Sequence, residues 1–231
     1  YTNPMSICVK TLYDVFPAIK AFGCCHEVFG TQEFLAAVVH EILGVPRPDR
    51  EEISIDVSGI NHFTWITKAR WEDRDVMKLL PEFIGRFYEE GYSEHGKPDA
   101  WKTDCFAYGN KVKENLFLRY GVLAAAGDRH LAEFLPGKWY LGSPDDVRAW
   151  QFGLTTVDYR IAMAEHLRNE AEDLAEGRKE VSFGVSGEEG VSLIKALLGF
   201  EDVTTNANLP NNGQMPAFPH GAVVETNCVF S

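Results

Sequence analysis

Residues 53–57 and 63–69 alternate apolar and polar side chains with a period of two, and only Ser58-Gly59-Ile60-Asn61-His62 separates the two runs. Period two suits a pleated strand with one covered face, and a slip of one residue would turn every apolar side chain outward. The chain is thereby committed to two strands flanking a glycine-containing corner, a place from which a side chain can be aimed at a ligand.

Around this pair the spacing is helical. Asn3 and Pro4 read as a helix start, with Met5, Cys8, Leu12, Val15 and Phe16 on one face until Pro17. Residues 19–24 read as a short buried strand. Thr31 reads as the start of a second helix, whose Phe34, Leu35, Val38, Val39, Ile42 and Leu43 form a stripe closed by Gly44. A third stripe runs from Val76 to Tyr88, residues 91–104 read as a loop, and a helix is expected at about 106–120. Pro144-Asp145-Asp146 opens a long helical region, bent near Gly153 and stopped at Gly177. Ser186 and Glu189 form a capping box for a helix ending near Gly199, and residues 203–230 read as turns and strands. The sum is an α+β chain, rich in helix, expected to be one domain over 1–231. Opening on Tyr1 without an initiator and stopping inside a strand-like run, it is expected to be a segment cut at both ends from a longer polypeptide.

Composition narrows the partners. Twenty-two Lys and Arg against 34 Asp and Glu give a formal charge of −12, the wrong sign for a phosphate backbone, so nucleic acid is not expected. No apolar run reaches the ~18 residues that span a bilayer, and the first residues lack a signal pattern, so the expectation is a cytoplasmic protein away from membranes. Five cysteines, two of them adjacent, make no disulfide framework at this length, and reduced thiols are expected.

Chemistry-bearing residues fall in three places. Cys25-His26-Glu27 sits in a glycine-flanked turn between the expected strand and helix. Cys25 and His62, from two separate strand ends, would make a borderline-soft pair for a divalent transition metal with positions left for substrate oxygens. The plain alternative is a small core cysteine and a hydrogen-bonded structural histidine. Gly127-Asp128-Arg129-His130 follows an apolar run and reads either as an acid or base at a pocket rim or as a helix start with solvated neighbours. Asn208 to Gly213 reads as a ligand loop or simply a turn. No GxGxxG is present in the 231 residues, so the dinucleotide fold's phosphate turn is not here.

Taken in order, Asn3-Pro4-Met5, Cys25-His26-Glu27, Gly59-Ile60-Asn61-His62, Asn208-Leu209-Pro210-Asn211-Asn212-Gly213 and residues 223–225 resemble the C-terminal portion of glycoside hydrolase family 4. The Cys-His-Glu variant and Gly127 to Phe134 look most like its α-galactosidase and α-galacturonidase branch. The resemblance implies a helix-rich domain of the lactate-dehydrogenase C-terminal type, following a nucleotide-binding domain absent from these residues. It implies hydrolysis of a small α-glycoside with NAD and a divalent metal, usually Mn(II), an exception to two-carboxylate glycosidases. In that course NAD takes hydride from C3 of the sugar and a base removes the C2 proton. The glycosidic oxygen then leaves with help from an acid, water adds and the hydride returns. Residue by residue, Cys25 and His62 fall at the metal ligands, Asn3 and Asn61 at or beside substrate contacts, and His26 at a proton donor or substrate contact. The family's tyrosine base has no clean counterpart, because one register places Phe117 there. Tyr120 and Asp128 are then the candidates: a carboxylate is already ionised at neutral pH, whereas a phenol needs the metal to lower its ordinary value near ~10. Arg129 is a candidate cation for a uronate carboxylate. A homo-oligomer is implied as well. The alternatives are an NAD-dependent sugar or hydroxy-acid dehydrogenase and a noncatalytic carbohydrate-binding module.

Overall fold

In the computed structural model, which describes residues 2–93, 99–182, 184 and 187–231, the two period-two runs are strands β1 (Ser54–Ile60) and β2 (Phe63–Trp71). They pair antiparallel from Ser54↔Arg70 to Ile60↔Phe63, which leaves Asn61 and His62 as the whole connecting loop. The expected five-residue corner is therefore shorter, with Ser58, Gly59 and Ile60 inside the ladder. The strand can run that far because Gly59 has no Cβ: one built there would meet the backbone of Thr64 at 2.7 Å and Phe63 at 2.8 Å.

After β2 come β3 (Arg74–Asp75), a short edge strand, and later β4 (Leu123–Ala124), which also pairs with β2. The far side of β1 is closed by the C-terminal hairpin of β5 (Val203–Pro210) and β6 (Val223–Phe230), so the sheet runs β3-β2-β1-β6-β5. β6 sits centrally, and its Glu225 stands opposite Gly59 on β1 and Asn208 on β5.

Helices cover the sheet in two hydrophobic clusters. In one, Phe34, Leu35, Val38 and Val39 of α2 (Glu27–Leu43) and Leu80, Phe83 and Ile84 of α3 (Leu80–Phe87) pack on Val57, Ile66 and Ala69. Gly44 ends α2 in the left-handed conformation, as its position after the stripe requires. The other joins Val112 and Leu116 of α4 (Lys111–Tyr120) to Leu131 and Ala132 of α5 (Asp128–Glu133), with Tyr140 and Phe152. The long helical region divides into α6 (Pro144–Ala149) and α7 (Val157–Ala175), capped by Ser143 and Thr156, and is followed by α8 (Gly190–Leu197). Among the described residues no helix is long and apolar enough to cross a membrane.

Several expectations shift. Helix α1 spans Met5–Val15, but Asn3 makes no capping bond to it, and its buried side chains are Met5 and Val9 while Leu12, Val15 and Phe16 stay exposed. No strand forms at 19–24; the chain makes only a two-bond bridge there, Gly23 with Asn208. Helix α2 begins four residues before Thr31, so that Glu27 lies in its first turn, where a carboxylate suits the helix dipole. Helix α4 begins at Lys111 rather than near 106, because the Asp128 carboxylate accepts the Val112 and Lys113 amides (3.1 and 3.0 Å) and fixes its N-terminus there. The capping box at Ser186 lies outside the described residues.

Replacing Gly59 by alanine forces backbone apart at the hairpin and should cost about 1–3 kcal/mol. Gly85→Ala, in exposed helix with nothing within 4 Å of the added methyl, should be neutral or gain up to about 1 kcal/mol. Urea midpoints of the two variants check both, and equal midpoints would refute the close-packing account.

Candidate active site

The two-residue loop and the start of α2 meet on one side of the sheet. The Cys25 thiol, partly buried, is hydrogen-bonded to the Asn61 side chain, and the carboxylates of Glu27 and Glu225 act on both Cys25 and His62. Burial, with those carboxylates adding to it, pushes the thiol up to about 11. Burial and the neighbouring charge of His130 pull His62 below its ordinary value, which favours the neutral, ligating imidazole.

His130, on the first turns of α5, lies against His62 with ring centroids 4.5 Å apart. Its Nε2 is 3.4 Å from Glu27 Oε1 and its Nδ1 is 3.5 Å from Glu133 Oε2. Glu27 also accepts the Gly127 amide at 3.2 Å. Burial alone would raise the Glu27 carboxyl, but the hydrogen bond and charge of His130 outweigh it and bring it down to about 2. The same hydrogen bond raises His130 against the opposing effect of burial.

Beside this cluster a cavity of about 230 Å³ is lined by His26, Glu27, Phe106, Tyr108, Arg129 and His130. Arg129 is largely buried: one Nη donates to the Cys105 carbonyl at 2.7 Å and the guanidinium lies 5.0 Å over the Phe106 ring. His26 is exposed, with Nδ1 3.0 Å from Glu188. The structure thus joins Cys25 to Asn61, the residue before His62, and sets His26 and Arg129 on the adjoining cavity.

Three further expected residues sit ahead of α1, at the end of α4 and at the start of α5. Asn3 is exposed ahead of α1. Tyr120, 53% exposed, packs edge-on against Trp65 at 5.9 Å. Asp128 has no exposed surface, and its two oxygens hold the start of α4; this one of the two candidate bases is closed to solvent. Two participants carried no assigned role beforehand: Glu225, buried on β6, and the Glu27–His130 pair. No periodicity links positions 27, 130 and 225, although residues around each had drawn notice as motifs.

A metal fits the donors present. Cys25 offers a desolvated sulfur that gives up its proton most readily to a cation, His62 a neutral nitrogen, and buried Glu225 a negative charge close to both. Among the described residues no group of three His, Cys, Asp or Glu side chains is placed to hold a metal.

Comparison with known proteins gives a consistent result. The family model described as the family 4 glycosyl hydrolase C-terminal domain matches residues 57–231, and the family 4 glycosyl hydrolase model matches residues 1–41. An alpha-galacturonidase of Thermoanaerobacterium saccharolyticum is 52% identical over all of this chain and 50% of its own length, and one of Bacillus subtilis is 49% identical, again over the whole chain and 50% of its own length. A solved Bacillus subtilis structure described as a candidate glucosidase superposes with a TM-score of 0.91 at 48% identity, covering 100% of this chain and 52% of that one. The fold is also shared, at a TM-score of 0.62 and 19% identity over 99% of this chain and 49% of the other, with a 6-phospho-alpha-glucosidase from gut microorganisms solved with NAD and Mn2+. The chain spans about half the length of the curated relatives it matches.

Because His130 is raised, its pairing with Glu27 adds stability that is complete below the ordinary value of 6.5 and fades as pH rises through the raised value. Glu27, lowered from 4.5 to about 2, keeps its share until far more acid pH. His130→Gln should therefore lose more stability relative to the parent at pH 6 than at pH 9 in urea denaturation; an equal deficit at both would refute the pairing.

Proposed function

Since the chain belongs to glycosyl hydrolase family 4, we propose that it forms the substrate- and metal-binding domain of an NAD- and divalent-metal-dependent glycosidase acting on α-galacturonides. The observation that supports this reading is that Cys25 bonds Asn61, the neighbour of His62, and that the same two carboxylates act on Cys25 and His62, residues 37 apart in sequence, next to a cavity containing Arg129. When bound, Mn(II) or a similar ion supplies positive charge at the sugar C2 and C3 oxygens, and NAD supplies a reversible hydride acceptor for C3.

The chain's own residues do the rest. Cys25 and His62 hold the ion. Asn61, kept beside Cys25, and Asn3 meet sugar hydroxyls. Arg129 meets the C6 carboxylate, which is why the proposal favours a uronate over a neutral galactoside: a largely buried guanidinium gains more from an anion than from a hydroxymethyl group. His26, exposed at the cavity, takes the part of proton donor to the leaving oxygen. Asp128 is closed off by α4, which leaves Tyr120, half exposed against Trp65 of β2, as the candidate base. The relatives named alpha-galacturonidase support the substrate class. Exposed apolar side chains on α7, among them Val157, Ile161 and Leu167, support burial against a second copy. A cytoplasmic location completes the proposal.

In the full-length enzyme, chelation of metal and, separately, Cys25→Ser should each lower turnover of an aryl α-galacturonide on the order of 10³-fold, the equivalent of several kcal/mol of lost charge stabilisation. Free galacturonate should form without net NADH; net NADH would favour a dehydrogenase, and undiminished turnover without metal would overturn the reading. Arg129→Met should raise KM for the galacturonide about 10- to 100-fold and leave KM for the matching galactoside little changed. Equal effects on both substrates would remove Arg129 from carboxylate recognition.

A further inference from the structure

Glu225 has no exposed surface, yet its carboxylate meets four hydrogen-bond donors, all uncharged side chains. Oε1 accepts Asn206 Nδ2 at 2.7 Å and Asn208 Nδ2 at 3.0 Å, both from β5. Oε2 accepts the Thr64 hydroxyl and, at 3.4 Å, Asn61 Nδ2, both from the β1–β2 hairpin. Four acceptor sites thus serve four donors, three of them amide nitrogens that only donate. The orientation of Asn208 follows from this, since the opposite one would set its oxygen against Oε1; its Oδ1 has no other partner among the described residues.

The partners of Glu225 lead back to Cys25 by two routes. Asn61 bonds the Cys25 thiol, and Asn206 donates to the Cys25 carbonyl at 3.4 Å. Asn61 also precedes His62 in the two-residue loop. One carboxylate is therefore linked, through one intermediary each, to both segments that carry the sulfur and the imidazole, beside the second link that runs from Glu27 through His130 to His62.

We propose that Glu225 is a positioning residue for the metal pair: it holds the Cys25 segment and the His62 loop at a fixed separation and sets a buried negative charge behind them. This rests on the metal reading above. Outer partners of metal ligands commonly contribute 10- to 100-fold in affinity, and Glu225 serves two ligands at once. Glu225→Gln keeps the shape but converts one oxygen into a donor. The amide fits best with its nitrogen toward Thr64, whose hydroxyl can turn to accept, and the link to Asn61 is then lost.

The test uses the full-length chain. Mn2+ affinity by calorimetry, and the sulfur-to-cobalt charge-transfer band after loading with Co2+, are compared for the parent, Cys25→Ser, Glu225→Gln and Asn206→Ala. The expected result is no band in Cys25→Ser, Mn2+ affinity at least tenfold weaker with a diminished band in Glu225→Gln, and a smaller loss of a few-fold in Asn206→Ala, which removes one link and leaves the carboxylate. Should Glu225→Gln fail to fold, as circular dichroism would show, Asn206→Ala carries the test, and parent-like affinity in it overturns the proposal. If Glu225→Gln folds and binds Mn2+ like the parent while Cys25→Ser does not, Glu225 is not a positioning residue and the metal reading stands. A parent that binds no better than Cys25→Ser overturns both.

Discussion

A carboxylate without exposed surface is tolerated only where donors replace the water it has lost. Glu225 meets that condition with side chains from the β1–β2 loop, β2 and β5, and the condition in turn dictates the sheet. It stands opposite Gly59 and Asn208 in the ladder, so a one-residue slip of β6 would carry the charge to the other face and leave three asparagines without their acceptor. The register of the central strands and the assembly of the polar site are thus a single constraint.

The remaining geometry follows from two short connections. A two-residue turn places His62 immediately past the end of the ladder, and close passage of the hairpin backbone at Gly59 makes that turn possible. At the start of α2, Glu27 is fixed by the Gly127 amide and by His130, and His130 in turn packs against His62 with the rings tilted by 33°. His130 stands between the carboxylates of Glu27 and Glu133, so the largely buried Glu27 has a partner of opposite charge.

What the sequence alone disclosed depends on the range of the interaction that decides each feature. Strands β1 and β2, the end of α2 at Gly44, the break before α7 and the stop at Gly177 are set by neighbours within a few residues, and all read correctly. Residues 19–24 looked like a strand because their apolar run is real, but Gly23 meets Asn208 in only one bridge. The start of α4 was misjudged because its cap comes from Asp128, more than a turn beyond the helix's far end. The site divides in the same way. Cys25 and His62 stand out as residue types at turns, whereas a lone Glu225 within a β-branched run looks like a solvent-facing position. Only the pairing of β6 with both neighbours turns it inward.

Asp128 and Glu225 make the point sharply, since both are buried acids of zero exposure and the sequence favoured the first as the chemical one. Burial does not separate them; their donors do. Asp128 is held by backbone amides at the start of α4, the arrangement by which a carboxylate satisfies the open end of a helix, and that arrangement serves the fold whatever the ligand. Glu225 is held by side chains, two of which touch the segment bearing Cys25. Backbone donors belong to an element and go wherever it goes, while side-chain donors tie together parts of the chain that the sheet alone would leave free to shift. The hydrogen bonds to a buried acid thus distinguish one that fixes the start of a helix from one that ties separate segments together, and Glu225 on β6 does the second.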